Sequence, residues 1–156
     1  MATLRPDQVR ARVAGTLEGL SVTAGTLEEA PCGYDGFPGS VPRVRAHLAF
    51  AVAVTSTTIE PVQRQRQARE LRVRDSVSVR LLHRLRDSDE VADIDSAMAT
   101  EADVIAAVLG TAGTTGLQTV YAGTSTRQAV EVDGGRFYML QLDFAATRLA
   151  AVTLPD

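Results

Sequence analysis

Leu71 to Arg86, LRVRDSVSVRLLHRLR, alternates apolar and polar positions almost without a break. A repeat of two is the signature of a strand, whose successive side chains point to opposite sides of a sheet. Any fold for this chain must accommodate that strand. Leu71, Val73, Val77, Val79, Leu81 and Leu85 take the core face, interrupted by Asp75 and His83, while Arg72, Arg74, Ser76, Ser78, Arg80, Arg84 and Arg86 take the other. At about 3.3 Å per residue the segment would run roughly 50 Å, longer than a usual strand. A bend or bulge is therefore expected near Asp75, which reads as the bulge residue rather than as a buried carboxylate paired with an arginine.

The flanking segments supply the remaining elements. Pro6 to Leu20 predicts a helix: Pro6 suits a first helical position, Asp7 favours the positive helix end, and Val9, Val13, Leu17 and Leu20 form one stripe. Residues 28–45 hold three prolines and three glycines and read as a long ordered loop, with Tyr34 and Phe37 as anchors to the body of the domain or to a neighbour. Ala46 to about Thr58 reads as a strand, with Leu48, Phe50, Val52 and Val54 on one face and Ala49, Ala51 and Ala53 on the other. Residues 59–70 lack apolar periodicity and turn glycines and read as a polar arm projecting from the hairpin, or as a plain loop. Asp87 to Leu109 predicts a second helix, capped by Asp87 with Glu90 as partner and ended by Gly110. Its expected buried stripe is Val91, Ile94, Met98, Ala102, Ile105 and Leu109, which leaves Asp89, Glu90, Asp93, Asp95, Glu101 and Asp103 as a negative outer surface. Strands are expected over 116–121, 126–132 and 136–147, the last two joined by Asp133, Gly134 and Gly135. The expectation is one α+β domain over residues 1–156, in the order α-β-β-α-β-β. An antiparallel sheet of about four to five strands carries two helices on one face.

At 156 residues the chain can bury a core without metal or disulfide support. All sixteen basic residues are arginine. Residues 1–86 hold 13 Arg against 8 acids (+5), and residues 87–156 hold 3 Arg against 11 acids (−8). A net charge of −3 argues against duplex-DNA binding, since sequence-independent affinity comes from neutralising phosphates. The asymmetry suits like chains meeting basic face to acidic face, and equally suits pairing inside one monomer. The opening MATLRPDQVRARVAG has no long apolar run, so neither a signal peptide nor a membrane span is expected, which implies a soluble, cytoplasmically made protein.

Signals for chemistry are weak. Cys32 with His47 or His83 could form a base-activated thiol, but no motif surrounds Cys32. DSDEVADID lacks the glycine and spacing of a calcium loop, and GTAGTTG matches neither a phosphate loop nor a dinucleotide fingerprint. No metal, cofactor or catalytic residue is assigned.

The succession of an N-terminal helix, a Pro/Gly loop, a strand pair joined by a polar excursion, a helix after VSVRLLHRLRDSDEVADID, and a closing hairpin ending RFYMLQLDFAATRLA resembles the tail-terminator proteins of long-tailed phages and phage-like particles. The resemblance covers nearly the whole chain and rests on layout. It implies a virion structural protein, not an enzyme, that forms a six-membered ring on the tail tube and halts tube growth. Such a ring offers a surface to the head-side connector, with the genome passing through it and no specific nucleic-acid recognition or membrane involved. On that reading Arg72, Arg74, Arg80, Arg84 and Arg86 meet Asp89, Glu90 and Asp93 of the adjacent subunit, and Gln63, Arg64, Gln65, Arg66 and Arg69 reach a neighbouring ring. Two alternatives stand beside it: a head–tail adaptor or stopper, and a small ligand-binding or hydrolytic domain using Cys32 and a histidine.

Overall fold

Phe50, Leu81 and Leu140 lie side by side on three neighbouring strands, as do Val52, Val79 and Leu142 and, one row further, Val54, Val77 and Phe144. These apolar rows are the platform on which the rest of the chain packs. The computed structural model describes residues 4–59, 70–113 and 117–151. In chain order its elements are α1 (Pro6–Leu17), a ribbon of β1 (Ser21–Val22) with β2 (Gly25–Thr26), β3 (Glu28–Glu29), β4 (Ala49–Ile59), β5 (Glu70–Arg84), α2 (Glu90–Leu109), β6 (Leu117–Val132) and β7 (Gly135–Ala151). The main sheet runs β3-β4-β5-β7-β6, antiparallel except where β3 joins β4. The fold is thus mixed α+β, with two helices and a mostly antiparallel five-stranded sheet. Apart from its two end residues, the expected arm 59–70 lies outside the described residues, and so do Gln63, Arg64, Gln65, Arg66 and Arg69.

Both helices cover the same face. Val9, Val13, Ala14 and Leu17 of α1 and Ala97, Val104 and Val108 of α2 share a core with the apolar rows. The opposite face carries a second, smaller core, in which Ala30, Phe37, Val41 and Ala46 of the loop close over Ala49, Ala51, Leu82 and Phe137. The small face of β4 lets that loop lie close to the sheet.

Several expectations are corrected by packing. α1 stops at Leu17, one turn before Leu20, because Gly19 adopts φ +74° and its N–H turns to the Leu27 carbonyl (3.0 Å), starting the β1–β2 ribbon. Residues 28–45, expected as a long ordered loop, also carry short elements: β3 pairs with β4, and single 3₁₀ turns form at Tyr34–Gly36 and Arg43–Arg45. The expected strands 116–121 and 126–132 are one strand, β6, whose register shifts between Ala122 and Ser125. There a Cβ on Gly123 would come within 2.9 Å of the Asp143 carbonyl oxygen, so the bent strand needs glycine at this point. The bulge expected near Asp75 sits instead on β4, between Val54 and Ser56, while β5 pairs with β7 without a shift from Glu70 to Arg84. Asp75 is the buried carboxylate of an ion pair with Arg148, whose Nε lies 2.5 Å away.

Candidate functional site

α2 has turned by about one residue from the orientation its apolar pattern predicts. Its buried positions are Asp93, Ala97, Thr100, Glu101, Val104 and Val108. Val91 is 75% exposed, Met98 44% and Leu109 36%, Ala102 is exposed, and Ile94 and Ile105 are half-buried. Two arginine clamps account for the turn. Arg86, just beyond β5, grips Asp93 through Nη2 (2.9 Å) and Nε (3.1 Å), and its backbone N–H donates to the same carboxylate at 2.8 Å. Arg127 of β6 grips Glu101 at 2.8 and 2.9 Å, and the Ser125 hydroxyl donates to Glu101 at 2.7 Å. A carboxylate held by a guanidinium and further donors can be buried where a lone one cannot. The small Ala97 and Thr100 between the clamps let the helix lie close to the sheet. The Arg86 hydrogen bonds hold the Asp93 carboxyl below the usual carboxylate range, and the Arg86 guanidinium is held charged in return. The Glu101 hydrogen bonds do the same for Arg127.

The helix start also differs from expectation. Asp87–Asp89 form a 3₁₀ turn and Asp89 is the N-cap without a side-chain capping bond. Asp87 and Glu90 are instead taken by Arg136, at 3.3 and 3.0 Å. The acidic outer surface expected of this helix is therefore mostly used within the subunit: Asp93 and Glu101 face inward, Glu90 is paired, and Asp103 accepts from the Thr23 hydroxyl at 2.7 Å. Asp95 remains exposed.

The arginines of β5 divide in the same way. Arg80 stacks over the Tyr34 ring at 4.1 Å and donates to the carbonyls of Tyr34 and Phe37, while the Tyr34 hydroxyl donates to Ser78 at 2.7 Å. Phe37 is buried in the second core. Arg86 is committed to Asp93, with Asp89 at 3.7 Å. Arg72 and Arg74 line an open depression of about 550 Å³ with Gln118, Thr119, Tyr121 and Thr147. Arg74 and Arg84 form no ion pair among the described residues, and the same holds for Arg43 and Arg45, which sequence reasoning passed over as part of a loop. Their signal is an Arg-Val-Arg triplet between prolines and a strand.

His47 and His83 stack edge to face, 4.8 Å apart, beside the Arg86–Asp93 clamp. His83 Nδ1 lies 2.7 Å from the Arg84 carbonyl and so must carry the proton there, which leaves Nε2 to accept from the Ser96 hydroxyl at 3.0 Å. His47 Nδ1 accepts from the Arg84 backbone N–H at 3.1 Å. Burial, His83 and Arg84 push His47 down to about 4, and burial lowers His83 as well. Both folded-state values lie below the unfolded value of about 6.5. Above that pH both rings are neutral in either state. As the pH falls from 6.5 towards 4, the unfolded chain takes up protons that the folded chain refuses, and stability drops. His47 is only half-buried, so its share of the loss is expected to be about 1–2 kcal/mol after allowance for solvent screening. Urea midpoints at pH 7.5 and 4.5 check this: His47→Gln should lose less stability between the two than the wild-type chain, and equal losses would refute the assignment.

Cys32 lines a different depression, of about 480 Å³, with Arg10, Glu29, Tyr34, Ala51 and Ala53. Neither His47 nor His83 lines it, so the structure does not bring the candidate thiol and base together. Among the described residues no cluster of three His, Cys, Asp or Glu side chains could hold a metal ion, and no helix is long and apolar enough to cross a membrane. No protein-family model matches this chain, and no curated protein matches it.

Proposed function

We propose that this chain is a structural subunit that assembles with copies of itself into a ring. As in the tail terminators its layout resembles, six copies would cap a tail tube, halt its growth and present a surface to a head-side connector. On this reading residues 59–70, expected from the sequence as a polar arm, are the part that meets an adjoining ring. The observation that carries the proposal is the outward apolar side of α2. Full burial of a side chain the size of valine, leucine or methionine contributes about 1.5–3 kcal/mol, so an isolated subunit leaves several kcal/mol unrealised along Val91, Met98 and Leu109. On this reading the strip is an interaction surface. Self-association supplies the partner without any further component.

Native mass spectrometry and negative-stain imaging of the purified chain test the reading, with a closed ring as the expected result and a monomer at all concentrations as the refuting one. Met98→Arg should shift the mass to that of the monomer while leaving the melting temperature of the subunit within a few degrees, because Met98 faces outward. An unchanged ring would remove α2 from the assembly surface.

A further inference from the structure

We infer that the outward side of α2 seats the Arg43–Val44–Arg45 turn of a second copy of this chain, a head-to-tail contact between two different surfaces. The inference rests on the ring reading above in taking a copy of the chain as partner, and adds which surfaces meet. Val44 is 93% exposed, the highest value among the exposed large apolar side chains of the described residues. It cannot retract, because its turn is fastened on every side. Arg45 N–H donates to the Pro42 carbonyl at 2.9 Å, Ala46 N–H to the Arg43 carbonyl at 3.2 Å, and Arg43 N–H to the Asp133 carboxylate at 3.1 Å. Val41 and Ala46, on either side, are anchored in the second core. The result is a rigid apolar knob flanked by two guanidinium groups with no ion pair among the described residues.

α2 presents the complement. Val91, Met98 and Leu109 form an apolar strip, and the exposed Ala92 and Ala102 leave room for a protruding side chain. The helix carries no basic residue, and its exposed Asp95 has no ion pair among the described residues, whereas Asp87 and Asp89 just ahead of it are held by Arg136 and Arg86. Two α2 helices set against each other would bring two Asp95 carboxylates together. Two 43–45 turns would oppose four guanidinium groups. Only the mixed pairing matches apolar surface to apolar surface and opposite charge to opposite charge. Val41 and Ala46, which hold the turn, belong to the layer on the opposite face of the sheet from the core that α2 covers, so the turn and the outward strip of α2 are two different surfaces of one copy. Contacts of that kind propagate from copy to copy, and they close into a ring where the rotation between copies permits it.

The test uses the full-length wild-type chain, Val44→Asp and Met98→Arg, each measured alone and the two variants in an equimolar mixture. Both changes are at exposed positions, and matching circular dichroism checks that the variants are folded. Each variant alone should be monomeric. The mixture should yield a two-chain complex and nothing larger, because one intact turn meets one intact helix and both remaining surfaces are disabled. A Val44→Asp variant that still forms the wild-type ring, a mixture that stays monomeric, or a mixture that forms larger rings overturns this pairing while leaving ring formation itself intact. A monomeric wild-type chain overturns ring formation and the pairing with it. Should either variant fail to fold, Arg45→Asp and Asp95→Arg replace them: each alone should weaken assembly at least tenfold, and combining both in one chain should restore it. Failure of that restoration counts against the pairing.

Discussion

Asp75→Ala is expected to lower stability by about 3–5 kcal/mol, because it strands a buried guanidinium. Arg148 is 3% exposed and Asp75 fully buried. Their contact is two-pronged, Nε to Oδ2 at 2.5 Å and Nη2 to Oδ1 at 3.3 Å, and the Thr57 hydroxyl donates to Asp75 at 2.6 Å. Arg148 also donates to the Leu4 carbonyl, which ties the segment before α1 to β7. Removing the carboxylate leaves a charge in apolar surroundings that only water entry or local unfolding can satisfy. In a chain of this size the loss corresponds to a fall of roughly 10 °C in Tm. Removing both charges together is a different experiment: Asp75→Leu with Arg148→Met leaves nothing unpaired and should be more stable than either single change. A single Asp75→Ala variant within 1 kcal/mol of the wild-type chain in urea unfolding would show that the pair is not held as described.

Phe37→Ala is expected to cost about 3–5 kcal/mol, the range for deleting a buried aromatic ring from a packed site. The ring sits at 3% exposure in the second core, against Ala49, Ala51, Leu82 and Phe137. Its removal should loosen the whole loop, because the neighbouring fastenings, Arg80 to the Tyr34 and Phe37 carbonyls and Tyr34 to Ser78, depend on the loop lying flat. Limited proteolysis should then cut within residues 30–46 faster than in the wild-type chain. Tyr34→Phe, which removes one hydrogen bond, should cost only about 1 kcal/mol. Were the loop a loosely attached appendage, Phe37→Ala would leave the urea midpoint where it was.

How far the fold was legible depended on the kind of pattern each segment carried. β4 and β5 could be read because a repeat of two assigns each side chain to a face with no third choice. α2 carried two stripes at helical spacing, and the more apolar one was the natural choice for the core. The inner stripe contains Asp93 and Glu101, which look like surface residues until Arg86 and Arg127 are known to lie beneath them. Arg127 is 26 positions from Glu101 along the chain, and Arg148 is 73 positions from Asp75. No local pattern links such pairs. The same limit applied to the candidate assembly residues: Arg80 and Arg86 differ from Arg74 only in what the loop and helix bring within their reach. Val44 gave no periodic signal, since its exposure follows from the turn that holds it.

The sequence by itself determined the two helices, the central strands with their two faces and the mixed α+β class, because hydrophobic periodicity is a local property that survives in any tertiary arrangement. Tertiary structure alone decided which side of α2 faces the core, that Asp75 is buried rather than bulged, and which arginines are held in ion pairs. Those outcomes depend on burying carboxylates against guanidinium groups from distant strands. The desolvation of a charge is tolerable only where its partner stands, and only the assembled fold places the partner.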